Sequence, residues 1–521
     1  MRTRIGAVSL LLAALVLEPG AWRQAQAAPQ LRGVDGLVRA YDSILEARFD
    51  QVDAELRKAC PPAPLQACDV MAATALWWRI QLDPGSRALD ADFSRAADRS
   101  IASTEAWTER EPDNPEAWFY LGGAYAARVQ WRVLREEKIA AARDGKRIHQ
   151  ALERALELDP GLEDAHFALG MYRYYADIVP AAAKVVRFFL LLPGGDKKLG
   201  LEQMLRARAR GRLLQGEADY QLHIIYLWHE QQTARALNIL ESLRQHYPGN
   251  PLFLAETARI QDEYLHDTTA SLDSWRALLA AAREQRSNAP VLAETQSRLA
   301  IARHLDLLHQ TDQAIEQLEA VIALRPQAPY GSLPLAYLRL GEAHDRLGDR
   351  AAALQAYRSA SALVSSPDLD KIKPTVAERA RRAVDPKRSE AYRLSLEGWR
   401  RLEQNDVDAA AVALGRSLEL HANDPVAHYR FGRVLQANKN DLPALAQFEI
   451  AIRAARTCPP PILGMTYLEA ARLHERAGRR DQSISYYRIA AGLFGASADT
   501  RSSATRALTR LRASGARAPR D

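Results

Sequence analysis

Pro115-Glu116-Ala117-Trp118-Phe119-Tyr120-Leu121-Gly122-Gly123-Ala124-Tyr125 is the stretch from which the fold is read. Proline suits the first turn of a helix, where its missing N–H would have had no partner. Trp118, Leu121 and Tyr125 then share one helical face. Gly122 beside these bulky residues leaves room for the close approach of a second helix. Downstream, Ala155-Leu156-Glu157-Leu158-Asp159-Pro160 closes another helix, with Pro160 as its stop. A pair of helices of this size has no core of its own and must stack on similar pairs.

The same spacing returns along the chain. Tyr220 and Ala236, Tyr337 and Ala353, and His428 and Ala444 each lie sixteen residues apart. Leu340-Gly341 goes with His344, Tyr357 and Ala360, and Phe431-Gly432 goes with Phe448 and Ala451. This pattern resembles the tetratricopeptide repeat, which has a bulky residue at position 4, Leu-Gly at 7 and 8, an aromatic at 11, small residues at 20 and 27, and proline at 32. The resemblance implies an all-α fold, a right-handed superhelical solenoid of antiparallel helix hairpins with about nine repeats. The units are expected at 115–162, 163–216, 217–250, 251–287, 295–328, 334–367, 391–424, 425–458 and 464–497.

Two departures modify the pattern. Tyr125 and Ile148 stand 23 residues apart where the family has 9, and the excess of 14 is close to four helical turns. Both helices of the first unit are therefore expected to be longer, in unchanged phase. The second unit carries an apolar insertion over 178–195. The resulting organisation is a signal peptide at 1–27, an N-terminal helical cap region at 28–114, a first block at 115–367, a basic linker at 368–388 read as a hinge, a second block at 389–497, and a basic capping helix with a frayed tail at 498–521.

Of the 521 residues 47% are apolar and 26% charged, enough for an extensive core. A net charge of +6 over this length gives no general argument for nucleic-acid binding. Arg2 and Arg4, the apolar run Ile5–Leu17 and Ala25-Gln26-Ala27 fit a cleaved secretory signal, so the chain is expected to be exported, periplasmic or secreted. Three cysteines make no disulfide framework. Cys60 and Cys68 flank Pro61-Pro62-Ala63-Pro64, where a bridge would stabilise a short loop by about 2.5 kcal/mol; two unbridged buried thiols fit equally well.

The sequence contains no His-Glu-x-x-His, no Gly-x-x-x-x-Gly-Lys, no Gly-x-Ser-x-Gly and no paired-cysteine metal spacing, so no catalytic residue, metal ligand or cofactor is assigned. The resemblance implies a concave groove lined by the first helix of each unit, with positions 2, 5, 9 and 12 facing it. Carried onto this chain, these give the partner-binding candidates Phe119, Phe167, Met171, Tyr174, Gln221, Ile225, Trp228, Trp399, Tyr429 and Arg433. As groove anchors, Trp228 and Phe167 should tolerate replacement by Ala without loss of stability. The implied function is a non-catalytic protein–protein interaction scaffold of the cell envelope, holding a protein or peptide partner. The runner-up is a peripheral membrane adaptor using Phe188, Phe189 and the basic tail. An envelope hydrolase or transferase comes third.

Overall fold

A computed structural model describes residues 31–178 and 194–515. The expected signal segment, most of the apolar insertion and the end of the basic tail lie outside the described residues. Among the described residues there are twenty-four α-helices and no strand. Four helices come first: α1 (Val34–Leu45), α2 (Phe49–Ala59), α3 (Leu65–Leu82) and α4 (Asp90–Arg110). The hairpins follow. They are α5 (Pro115–Leu134) with α6 (Lys138–Leu158), α7 (Ala165–Ile178) with α8 (Lys197–Arg210), α9 (Gln215–Trp228) with α10 (Thr233–His246), and α11 (Pro251–Glu263) with α12 (Thr268–Arg283). Next come α13 (Pro290–Leu307) with α14 (Thr311–Leu324), and α15 (Ser332–Leu347) with α16 (Arg350–Leu363). After the single helix α17 (Ile372–Arg381) stand α18 (Pro386–Glu403) with α19 (Val407–Leu420), α20 (Pro425–Ala437) with α21 (Asp441–Arg453), α22 (Pro460–Arg476) with α23 (Arg480–Gly492), and the last helix α24 (Ala498–Gly515). Apart from α17 and α18, each helix packs on its sequence neighbours, which makes the molecule a helical solenoid.

The glycine at repeat position 8 explains the hairpin. A Cβ at Gly341 would fall 2.4 Å from the Tyr357 ring, one at Gly432 2.4 Å from the Phe448 ring, and one at Gly398 2.5 Å from Leu414. In each case the partner lies sixteen residues on, in the second helix. Gly122 plays the same part, 2.6 Å from Leu152, but its partner is thirty residues on. The extra fourteen residues are thus distributed over α5 and α6, of 20 and 21 residues, without loss of register.

Helix starts are set by Asn or Asp followed by proline. Asn114, Asn250, Asp385 and Asp424 accept backbone N–H groups of the first turn, and the next residue in each case is a proline at the first helical position. Cys60 and Cys68 form a disulfide across the turn between α2 and α3. Cys458 is buried as a free thiol, and burial pushes its pKa up to about 12.

The segment read as a hinge is anchored to the preceding hairpin through its helix, while most of its residues are exposed. Ile372 and Val376 of α17 are buried with Leu338 and Tyr357 of the preceding hairpin, and Arg379 donates to Glu342 at 2.9 Å. Its remaining cations, Lys371, Lys373, Arg381, Arg382, Lys387 and Arg388, face solvent. Beyond it the second block touches the first directly. Tyr392 and Thr311 share a 2.7 Å hydrogen bond, Arg400 pairs with Asp312, and Arg430 donates to the His309 carbonyl at 2.7 Å.

Candidate functional site

The first helices of successive hairpins line the inner side of the solenoid, and in the first block this side is already covered by the chain's own beginning. Helix α1 lies along it. Arg32, just before α1, donates from its backbone N–H and its guanidinium to Glu116 of α5, at 2.9 and 2.7 Å. Tyr41 donates to Glu217 of α9 at 2.8 Å, and Trp78 of α3 donates to the same oxygen at 2.9 Å. At the far end, Asn250 and Asn288 donate to the carbonyls of Leu45 and Glu46 at 2.7 and 2.8 Å. Tyr247 donates to Asp42, and the Gly249 N–H to Glu46. Leu37, Ala40, Ile44 and Leu45 of α1 are sealed in the same apolar core as Phe119, Phe167 and Ile225.

Glu217 is the centre of this arrangement. It is fully enclosed, and burial pushes its carboxyl above the usual carboxylate range against the pull of the hydrogen bonds from Gln221, Tyr41 and Trp78. Tyr41 in turn is held well above the ordinary phenol value by burial and by the neighbouring Glu217. Gln221 spans the gap to α5, donating to Glu217 at 3.1 Å and to Gln130 at 2.9 Å.

The expected groove residues therefore divide. Phe119, Phe167, Tyr174, Gln221, Ile225 and Tyr429 are buried, a correction to their reading as open binding anchors. Phe119, Phe167 and Ile225 share one apolar core with residues of α1 and α3, and Gln221 is held by Glu217 and Gln130. Tyr174 is closed over by α8 and donates to Glu230 at 2.6 Å, and Tyr429 is enclosed by Trp399 and Phe448, whose ring centroids lie 6.2 and 6.1 Å away. Met171, Trp399 and Arg433 are half-buried. Only Trp228 among the ten stands free, 61% exposed at the end of α9.

Trp228 is not isolated in kind. The corresponding turns of the next two hairpins expose Tyr264 and Leu265 after α11, and Leu307 at the end of α13. Phe494 is also exposed, with its ring 4.4 Å from that of His266 beside Leu265. Trp228, Tyr264, Leu265 and Leu307 thus stand at equivalent ends of three successive first helices, a candidate apolar rim. Tyr41, Glu217 and the rim residues Tyr264, Leu265, Leu307 and Phe494 carry no signal of their role in the repeat pattern. Val34, Leu37, Val38, Tyr41, Ile44 and Leu45 do follow helical spacing, so an amphipathic helix at 34–45 was there to be read.

Among the described residues no group of three or more His, Cys, Asp and Glu is placed to hold a metal ion, and no helix is long and apolar enough to cross a membrane.

Stacked hairpins interlocked through a glycine and a ring define a helical repeat protein. Residues 335–362 match the family model of the tetratricopeptide repeat, so the α15–α16 hairpin carries a repeat of that family. No curated protein matches it significantly. Solved structures similar to it include human IFIT1, solved as a dimer with m7Gppp-AAAA, at 14% identity over 82% of this chain and 96% of that one, with a TM-score of 0.34. Yeast Tom70 is similar at 13% identity over 91% and 96%, with a TM-score of 0.26. The TPR2AB domain of yeast Sti1, in complex with pHSP90, is similar at 14% identity over 58% and 99%, with a TM-score of 0.22.

Proposed function

We propose that this chain is a non-catalytic scaffold of the cell envelope that holds a protein or peptide partner on the rim built around Trp228. The observation that carries this reading is the exposure of an indole at the end of a helix whose inner face is otherwise sealed, with exposed apolar side chains at the same place in the next two hairpins. Large rings left in water at a rigid surface are the side chains that most often anchor a partner. The partner segment is apolar on the side that meets Trp228, Tyr264 and Leu265. Met171, Trp399 and Arg433, half-buried, are secondary contacts. Export is supported by Arg2, Arg4 and the Ala25-Gln26-Ala27 site, and the Cys60–Cys68 disulfide fits an oxidising compartment.

The test is site-specific photo-crosslinking in the exporting cell. A benzophenone side chain at position 228 or 264 should trap one discrete adduct, whereas the same group at Arg488, on the outer helix of a distant hairpin, should not. Equal labelling at all three positions, or none, refutes the rim as a partner surface.

A further inference from the structure

At the far end of the solenoid, α22 and α24 pack on each other as well as on α23. They touch where they begin, since a Cβ at Gly464 would fall 2.6 Å from Ala496 and 3.4 Å from Thr500. Further along, a cleft of about 490 Å³ opens between them, a size ordinary for a small-molecule site. Four arginines line it, Arg472 and Arg476 from α22 and Arg506 and Arg510 from α24, against the single carboxylate of Glu475. Arg506 follows Arg472, and Arg510 follows Arg476, by thirty-four residues, one repeat length, so the four side chains come from matching positions on the two helices.

Each guanidinium is engaged through a single Nη atom. Arg472 donates to Glu469 at 2.6 Å, Arg476 to Asp441 at 2.7 Å and Arg510 to Glu475 at 2.7 and 2.9 Å. Arg506 donates only to the Ser503 hydroxyl, at 3.1 Å, and has no carboxylate in ion-pair range among the described residues. Ion pairs as exposed as those of Arg472, Arg476 and Arg510 bind weakly, and none of the four Nε–H groups takes part in them. Glu475 also accepts from the Tyr487 hydroxyl at 2.8 Å, so it orients Arg510 and is no free opposing charge. Like charges gathered on one cleft repel each other, and an anion entering it relieves the repulsion. The open planar fork of arginine takes phosphate oxygens two at a time. A phosphomonoester carries about −1.5 to −2, and two of them offset the surplus positive charge of the lining.

We propose that this cleft binds a compact molecule bearing two phosphomonoester groups, held by Arg472, Arg476, Arg506 and Arg510. The site is separate from the partner rim and does not depend on that reading. A soluble bisphosphate and a phosphorylated lipid headgroup share this chemistry, and the test distinguishes them.

The full chain is titrated with fructose bisphosphate by calorimetry, and sedimented with phosphatidylcholine vesicles with and without phosphatidylinositol bisphosphate. One-to-one binding that weakens as salt is raised is expected. Binding of the sugar ester alone assigns a soluble ligand, and sedimentation with the phosphorylated vesicles assigns the headgroup. Arg506→Gln removes an exposed side chain with one hydrogen bond, so it should leave Tm unchanged while weakening the bound probe about 10-fold. Arg488→Gln, which removes an exposed charge on the outer helix α23, should leave both affinity and Tm as they are. Absence of saturable binding of either probe overturns the proposal. So does citrate or an oligo-glutamate peptide binding as tightly as the bisphosphate, or an equal effect of Arg506→Gln and Arg488→Gln.

Discussion

Tyr41 donates its phenolic hydrogen to Glu217 across 176 residues of sequence, and the bond fastens the first helix of the chain to the inner face of the third hairpin. The inner face that a solenoid of this type leaves open is thereby converted into an interior, and α1 becomes part of the core. Tyr41→Phe keeps the ring and removes one of the donors to a buried carboxylate, so it should cost about 1–3 kcal/mol. Ile44→Ala, at a site with no exposure, should cost about 2–5 kcal/mol. Urea unfolding measures both. Wild-type midpoints for the two variants would mean that α1 rests on the hairpins without contributing to their stability.

The interlock between Gly341 and Tyr357 makes a paired prediction. Gly→Ala inside a helix ordinarily stabilises by about 1 kcal/mol. At Gly415, in the middle of α19 with nothing within 4 Å of the added carbon, that gain should be seen. At Gly341 the same change puts a methyl group 2.4 Å from a ring that is itself buried, and the second helix must move away, at about 1–3 kcal/mol. Opposite signs for the two substitutions in thermal unfolding are the expected result; a gain at both would show that the glycine is not what sets the helix spacing.

That interlock also shows what the sequence reveals and what it hides. Gly341 and Tyr357 are sixteen residues apart, and their meeting depends only on helix geometry and a short turn, so the repeat spacing exposes it. The same arithmetic locates Leu152 opposite Gly122 once fourteen residues are allowed for. The pairing of Tyr41 with Glu217 has no such period. Val34, Leu37 and Ile44 mark a helix with an apolar face, but nothing local says that this face will settle against α9. Ile225 and Trp228 both stand at positions assigned to the groove, yet one is sealed and the other is in water, because the covering layer determines which groove positions stay open.

Two buried histidines make the fold sensitive to acid. Burial lowers His223 to about 4, beside Arg259 and Tyr220, and His304 likewise to about 4, with Arg303, Arg339 and Asp262 around it. Because each folded value lies below the ordinary 6.5, the stability they contribute is complete above 6.5 and is lost as pH falls from there towards 4. Each loss amounts to about 3 kcal/mol once the group is protonated in both states. Glu217 acts in the opposite sense, since a raised folded value favours the fold below the ordinary carboxylate range and loses that advantage as pH rises. Subtracting a variant isolates one group. The fall in unfolding free energy between pH 7 and 4 should be about 3 kcal/mol smaller in His223→Gln than in the wild type, and parallel curves would contradict the assignment.

Arg430 is a buried guanidinium without a carboxylate in ion-pair range among the described residues. It donates to the His309 carbonyl and to the Ser395 hydroxyl, and stacks 5.6 Å from the Trp399 ring centroid. Since one bond reaches the first block and the others lie in the second, Arg430→Ala should loosen the junction. About 2–4 kcal/mol is expected from losing a charged donor to buried acceptors. Limited proteolysis should then cut faster within the exposed 365–388 segment, with no new cuts in the hairpins on either side. An unchanged digestion pattern would place the strength of the junction elsewhere, with Arg400 and Asp312 the next pair to remove.

Trp228 and Phe167 were expected to behave alike, and the structure separates them. Phe167 is 4% exposed in the core beneath α1, so Phe167→Ala should cost about 3–5 kcal/mol and, in a marginal solenoid, unfold much of the first block. Trp228→Ala removes a ring that is mostly in water and should change stability by no more than about 0.5 kcal/mol. If the rim around Trp228 is where the partner sits, the same variant should nevertheless weaken capture at least 10-fold, since truncating a central aromatic anchor costs about 2 kcal/mol or more. The two readouts are independent. A stable Trp228→Ala protein that still takes its partner normally would remove the rim from the functional account, and a destabilised one would show that the indole packs against the hairpins and is not displayed to a partner.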